Sequence, residues 1–214
     1  MRRYAVFLAV WFASGLGTAV LADPGSGGAE SLVRDCVECH GSRGVSTDPA
    51  YPTIAGMSAF YIDDQLRTYR ASGRPCKPVK YRLNSAGRKS VSMCEVTQKL
   101  SDADIAALAA YFSKQAFVPA KQPFDPQLAK VGRMLHTERC GRCHSDGGSL
   151  ADDDAGILAG QWKPYIEEAF QQFRTGTRRA PEKMKPQIDG LSDMEARALV
   201  EYYLSEQGNK GGNQ

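Results

Sequence analysis

A five-residue pattern, Cys-x-x-Cys-His, occurs twice in this chain, as CVECH at 36–40 and as CGRCH at 140–144. Two thiols three residues apart share one helical turn, and a histidine directly after them projects near the same face. That spacing suits attachment of a c-type haem: two thioethers to the porphyrin and an imidazole to the iron. With 6 Cys and 3 His in 214 residues, a chance match is expected only about 0.002 times per chain. A zinc site would use both cysteine pairs on one ion and would need no histidine after each. A thioredoxin-like redox pair needs a βαβ setting, and none is legible here. The expected cofactors are therefore two covalently bound haem c groups, on Cys36 and Cys39 with His40, and on Cys140 and Cys143 with His144.

The motifs stand 104 residues apart, and the offset holds beyond them. IAGMSAFYIDDQLRTYRASG (54–73) falls on LAGQWKPYIEEAFQQFRTGT (158–177), matching Ala55-Gly56 to Ala159-Gly160 and Tyr61-Ile62 to Tyr165-Ile166. The offset then becomes 91, where LSDADIAALAAYF (100–112) falls on LSDMEARALVEYY (191–203). Two homologous units follow, the first with an insertion of 104 − 91 = 13 residues. Apolar residues at helical spacing predict three helices per unit: one entering the haem motif, one over about 58–71 with Phe60, Leu66 and Tyr69 on its apolar side, and one after Ser101. Ser101 and Ser192 read as N-caps, with acids in the first turn where the helix dipole favours them. Each unit is near the lower size limit for an independent core, and a porphyrin would fill much of its interior.

A histidine-bound haem iron that does not bind gas or substrate needs a sixth ligand. Seven residues before each LSD leucine stands a methionine, Met93 before Leu100 and Met184 before Leu191. No other methionine repeats in this way: Met57 aligns with Gln161 and Met194 with Ala103. A lone methionine is usually core filler, but this paired spacing marks Met93 and Met184 as axial ligands opposite His40 and His144. Methionine raises the reduction potential and closes the iron, which points to electron transfer rather than oxygen or peroxide chemistry. His136, the remaining histidine, reads as a surface or packing residue.

Cys76 and Cys94 flank the insertion. The N-terminus, MRRYAVFLAVWFASGLGTAVLADPG, has the order of an export signal, with cleavage expected after Ala22. An uncleaved anchor is the alternative; no later apolar run is long enough to span a bilayer. Without Arg2 and Arg3 the basic residues number 27 − 2 = 25 against 24 acidic, so no basic stripe suggests nucleic acid. In an oxidising, periplasmic compartment Cys76 and Cys94 most simply form a disulfide, with a metal-binding or sulfur-handling thiol pair as the sharper alternative. The insertion carries Lys77, Lys80, Arg82, Arg88 and Lys89, either a docking patch for an acidic redox partner or a solvated loop.

The stretches 111–136 and 147–166, the second haem motif and RRAPEKM resemble the di-haem cytochrome subunit of flavocytochrome c sulfide dehydrogenase. The resemblance implies an all-α fold of two tandem class I cytochrome c domains, here placed at 23–116 and 126–207 with a linker at 117–125 and a flexible tail at 208–214. It also implies a separate FAD-binding flavoprotein partner that oxidises sulfide and a soluble cytochrome c acceptor. Pro52, in YPTIAG, resembles the proline whose carbonyl orients the axial histidine in small cytochromes c; Gly156 aligns with it in unit two. No Gly-rich dinucleotide fingerprint is present, so any flavin belongs to another chain, and this chain conducts electrons rather than catalysing. The rival readings are a free-standing di-haem carrier to a terminal oxidase, a cytochrome subunit of another dehydrogenase, and a haem peroxidase, which the two methionines disfavour.

Overall fold

The computed structural model describes residues 26–80 and 90–208. The expected export segment, the tip of the insertion and the tail beyond residue 208 lie outside the described residues. Unit one is built from α1 (Ser26–His40), α2 (Ala59–Arg70), a short α3 (Met93–Thr97) and α4 (Asp102–Ser113). Unit two is built from α5 (Pro126–Leu135), a distorted turn α6 (Ser145–Gly148), α7 (Lys163–Arg174), a short α8 (Lys185–Asp189) and α9 (Asp193–Ser205). The only sheet among the described residues is a two-rung ladder inside the insertion, β1 (Val79–Lys80) antiparallel to β2 (Ser90–Val91). The fold is all-α, in two tandem cytochrome c domains, as the repeat implied.

The repeat is reproduced in atomic detail. Ser101 caps α4 by accepting from Asp104 N while the Asp104 carboxylate accepts from Ser101 N; Ser192 and Glu195 do the same for α9. Reciprocal caps of this kind satisfy two otherwise orphaned amides. Gly56 N donates to Phe112 O at 2.9 Å and Gly160 N to Tyr203 O at 2.8 Å, tying corresponding loops to corresponding helix ends. Both glycines have positive φ, 71° and 67°, a region that side chains disfavour. Arg70 pairs with Asp102 and Arg174 with Asp193 at the same two offsets.

In unit one, α4 packs on α1 and α2, burying Ile105, Leu108 and Phe112. In unit two α9 is the central element and buries Leu199, Tyr203 and Leu204. Its crossing with α5 is close, because a Cβ on Gly132 would lie 2.0 Å from Ala198 O. On α2 the apolar assignment needs one correction. Ile62 is buried, whereas Phe60, in the first turn, is 66% exposed.

The segment joining the units is not a free tether. Ala120 N donates to Gly160 O at 2.8 Å, and Gln122 bonds to Gln161, Lys163 and Gln207. The two units also meet directly. Buried Gln161 exchanges two 2.9 Å hydrogen bonds with the backbone of Thr53, and Trp162 Nε1 donates to Ser46 O at 3.2 Å.

Candidate functional site

Helix α1 delivers Cys36, Cys39 and His40 to one wall of a cavity of about 380 Å³, and Met93 lines the same cavity. His40 is buried, and its Nδ1 lies 2.8 Å from the Pro52 carbonyl. A carbonyl only accepts, so Nδ1 carries the proton and Nε2 keeps a free lone pair. Burial pushes the His40 imidazole below its usual range, against the opposing pull of the Pro52 bond. A neutral, oriented imidazole with Nε2 available is the state in which histidine ligates iron. Pro52 thus occupies the place expected of it.

Met93 is the first residue of α3. Ser92 caps that helix in a capping box with Glu95, and Thr97 Oγ1 donates to Met93 O at 2.8 Å. The next residue, Cys94, is joined to Cys76 in a disulfide with Cα atoms 5.8 Å apart. Of the two options open in the sequence, the disulfide is the one observed. The proposed basic patch is reduced by one member, because Lys77 pairs with Glu168 of the other unit at 2.7 Å. Arg82, Arg88 and Lys89 lie outside the described residues.

None of the four motif cysteines takes part in a disulfide, as thioether formation requires. Burial, with Asp35 and Cys39 adding to it, pushes the Cys36 thiol up to about 12. Among the described residues no group of three or more His, Cys, Asp and Glu side chains is placed to hold a metal ion directly. The two cysteine pairs therefore do not converge as a zinc site would require.

In unit two, Cys140 and Met184 pack on the same apolar cluster, formed by Ile166, Ile188, Leu191 and Tyr203 among others. Met184 sits at the N-terminus of α8, its carbonyl accepting from Gln187 N and Ile188 N. His144 has no proline opposite it. Burial lowers its imidazole and the Asp153 carboxylate raises it again; Asp153 itself is held by Ser145 N and Oγ. His136 is a packing residue, as expected, but a polar one: it is buried with Nδ1 3.1 Å from the Tyr203 hydroxyl.

The fit to haem has a second test, at the seam between the units. Arg74 and Arg178 are repeat equivalents; each guanidinium stacks on an equivalent ring, Tyr69 at 4.4 Å and Phe173 at 4.2 Å. Both are buried. Their hydrogen-bond partners, Gln65, Tyr61 and Tyr165, are all neutral, and Arg74 Nε has no partner. Burial alone would raise the Tyr165 hydroxyl, yet Arg74 and Arg178 bring it down to about 8. Arg74, Tyr61 and Tyr165 line the same cavity as Cys36, His40 and Met93. Buried cations without a carboxylate call for an anionic group, and a haem carries two acidic side chains. Sequence reasoning missed this cluster, although Arg74 and Arg178 stand at the 104-residue offset that revealed everything else.

Residues 26–116 match the cytochrome c family, and residues 127–202 match the family described as cytochrome c oxidase, cbb3-type, subunit III. Cytochrome c4 of Azotobacter vinelandii is 33% identical over 152 residues, covering 67% of this chain and 69% of that one. A thiosulfate dehydrogenase electron acceptor of Thiomonas intermedia (strain K12) is 30% identical over 189 residues, 83% of this chain and 81% of its own length. The crystal structure of reduced cytochrome c4 from Pseudomonas stutzeri superposes with a TM-score of 0.66 at 30% identity, covering 82% of this chain and 97% of that one. The chain belongs to the cytochrome c family, as a tandem two-domain, di-haem electron carrier similar to cytochrome c4.

Proposed function

We propose that haem one is held by Cys36 and Cys39 with His40 and Met93 as axial ligands, and haem two by Cys140 and Cys143 with His144 and Met184. When bound, each haem supplies a one-electron couple. The protein's part is to hold the groups around it still. Pro52 keeps His40 in the Nδ1–H form. The Ser92 cap and the disulfide keep Met93 at the cavity wall. The apolar lining excludes water, which favours the less charged state of a buried redox centre. Arg74, Arg178, Tyr61 and Tyr165 would hold haem carboxylates at the seam and so turn the inner edges of both sites toward one another.

The observation that carries this reading is the meeting of Cys36, Cys39, His40 and Met93 around one cavity, with His40 Nε2 left free. We infer that the chain works as a free-standing carrier, exported to the periplasm, with the division between its domains at 117–125. Its donor would be a dehydrogenase acting on a reduced inorganic sulfur compound, by analogy with the thiosulfate dehydrogenase electron acceptor of Thiomonas intermedia. A narrower reading, a subunit fixed to an FAD flavoprotein that oxidises sulfide, is supported by the resemblance over 111–184.

Anaerobic addition of micromolar sulfide or thiosulfate to natively purified protein, with the same fraction assayed for flavin, separates the two. A flavin-free chain reduced only when a separate dehydrogenase is supplied would be a carrier. One flavin per two haems, with prompt reduction by sulfide, would make it the flavocytochrome subunit.

A further inference from the structure

A single peptide group ties the haem-motif histidine of unit one to a side chain of unit two. The carbonyl of the Pro52–Thr53 peptide accepts from His40 Nδ1–H at 2.8 Å. The N–H of that same peptide donates to Gln161 Oε1 at 2.9 Å. Gln161 Nε2 in turn donates to Thr53 O, also at 2.9 Å, so the amide grips both backbone groups of Thr53. Oε1 accepts a second bond from Trp162 N at 3.1 Å. Two N–H donors on one end and a carbonyl on the other leave a single orientation for the amide. The whole relay is shut away from water: Gln161 is 0% and Thr53 1% exposed, and His40 is buried. Thr53 is held from within its own unit as well, its Oγ1 accepting from Ser46 N at 3.2 Å.

Packing of the seam does not require this arrangement. At the 104-residue offset Gln161 corresponds to Met57, and Thr53 to Ile157. Met57 and Ile157 are both buried and belong to one apolar cluster with Ile62, Leu108 and Phe112. The seam therefore carries the same two positions twice, once as an apolar pair and once as an amide clasping backbone. The apolar pair fills its place without burying a side-chain amide. It also cannot relay anything, because methionine offers Ile157 N no oxygen, and Gly156 stands where unit one has Pro52.

We propose that Gln161 is a positioning residue for haem one, acting from unit two on His40 through the Pro52–Thr53 peptide. Consecutive hydrogen bonds polarise one another, so a peptide whose N–H is donated becomes a better acceptor at its carbonyl. A stronger bond from His40 Nδ1–H makes Nε2 a more basic ligand, which favours the ferric iron. The amide thus fixes the plane of the imidazole and holds the potential of haem one down, which favours passage of an electron from haem one to haem two. The control runs one way: haem one responds to how unit two is seated, and haem two has only Met57 at the corresponding place. This role rests on the reading of His40 as the axial ligand of haem one, and adds to it a group from the other unit.

The test is spectroelectrochemical titration of the di-haem holoprotein, with haem one identified as the wave that Met93→Ala displaces. Gln161→Met, which installs the residue of unit one, should raise that wave and leave the other in place. Gln161→Asn, one methylene too short to reach both groups of Thr53, should raise the same wave. Trp162→Phe removes the Nε1–H bond to Ser46 O but keeps the relay, so it loosens the seam and should move neither wave. In the reduced protein the proton resonance of His40 Nδ1–H should shift upfield in Gln161→Met, as its hydrogen bond weakens, and stay in place in Trp162→Phe. An unmoved haem one wave in Gln161→Met, with two haems attached and the Thr53 amide exchanging faster, would overturn the proposal. Equal rises in Gln161→Met and Trp162→Phe would overturn it too, since any loosening of the seam would then suffice. A wild-type chain carrying one haem would overturn it together with the ligand reading on which it rests.

Discussion

The two units place a methionine at the same repeat position but restrain it by different means. In unit one the restraint is covalent: the Cys76–Cys94 disulfide ends one residue from Met93, and the Ser92–Glu95 capping box fixes the start of its helix. In unit two Arg139, from the haem motif helix, donates to Gln187 O at 3.0 Å and pairs with Glu195 at 3.6 Å, so a guanidinium clips the segment after Met184. The histidine side differs too, with Pro52 opposite His40 and Asp153 beside His144. A duplicated fold thus keeps its proposed ligands in register while the groups behind them diverge. On this reading the proposed ligand set gives both sites the same chemistry, and the groups behind it make them differ.

The comparison can be broken most severely at the helix crossing. Gly132→Val should destabilise unit two by about 3 kcal/mol or more, because its side chain has nowhere to go except into the backbone of α9. Thermal unfolding followed at haem two and at haem one should show the loss confined largely to unit two; equal loss in both would mean that the seam couples them completely. Next in size is the staple. Replacing Cys76 and Cys94 with serine should cost unit one ~3 kcal/mol, the value for a loop of this length. Exogenous imidazole should also bind haem one faster, with haem two unaffected. If binding at haem one does not change, the disulfide plays no part in holding Met93.

The seam comes third. Gln161→Ala leaves Thr53 N and O without their partners, a loss of about 2 kcal/mol for a buried, doubly bonded amide. It should raise hydrogen exchange at Thr53 and Trp162, and unchanged protection there would remove Gln161 as a joint between the units. Smallest is the clip. Arg139→Gln should cost unit two about 1 kcal/mol, the scale of one partly exposed hydrogen bond, and should speed ligand binding at haem two alone.

Much of this was legible in the residues because it is local or repeated. The capped helices after Ser101 and Ser192 follow from spacing alone. The two methionines are visible because an insertion shifts everything around them except their distance to the next helix. What escaped was long in range and carried by single side chains. Gln161 reaches Thr53 across 108 positions, and His136 reaches Tyr203 across 67; periodicity carries no trace of either. Phe60 misled for the opposite reason, since it has helical spacing but sits in a first turn that faces outward. The Arg74–Arg178 pair and the Met57-to-Gln161 exchange lay in the same alignment, visible once matches and mismatches across the repeat are read with equal care.

The central claim is that both irons carry a histidine and a methionine. The most direct measurement is the long-wavelength absorption band of methionine-ligated ferric haem, recorded for the holoprotein and for Met93→Ala and Met184→Ala. The account predicts a band of two-haem intensity that each substitution halves. In each variant one potential should fall on the order of 100 mV, a fraction of the roughly 0.8 V range that axial ligands command. A band and a potential left intact by either substitution would contradict it.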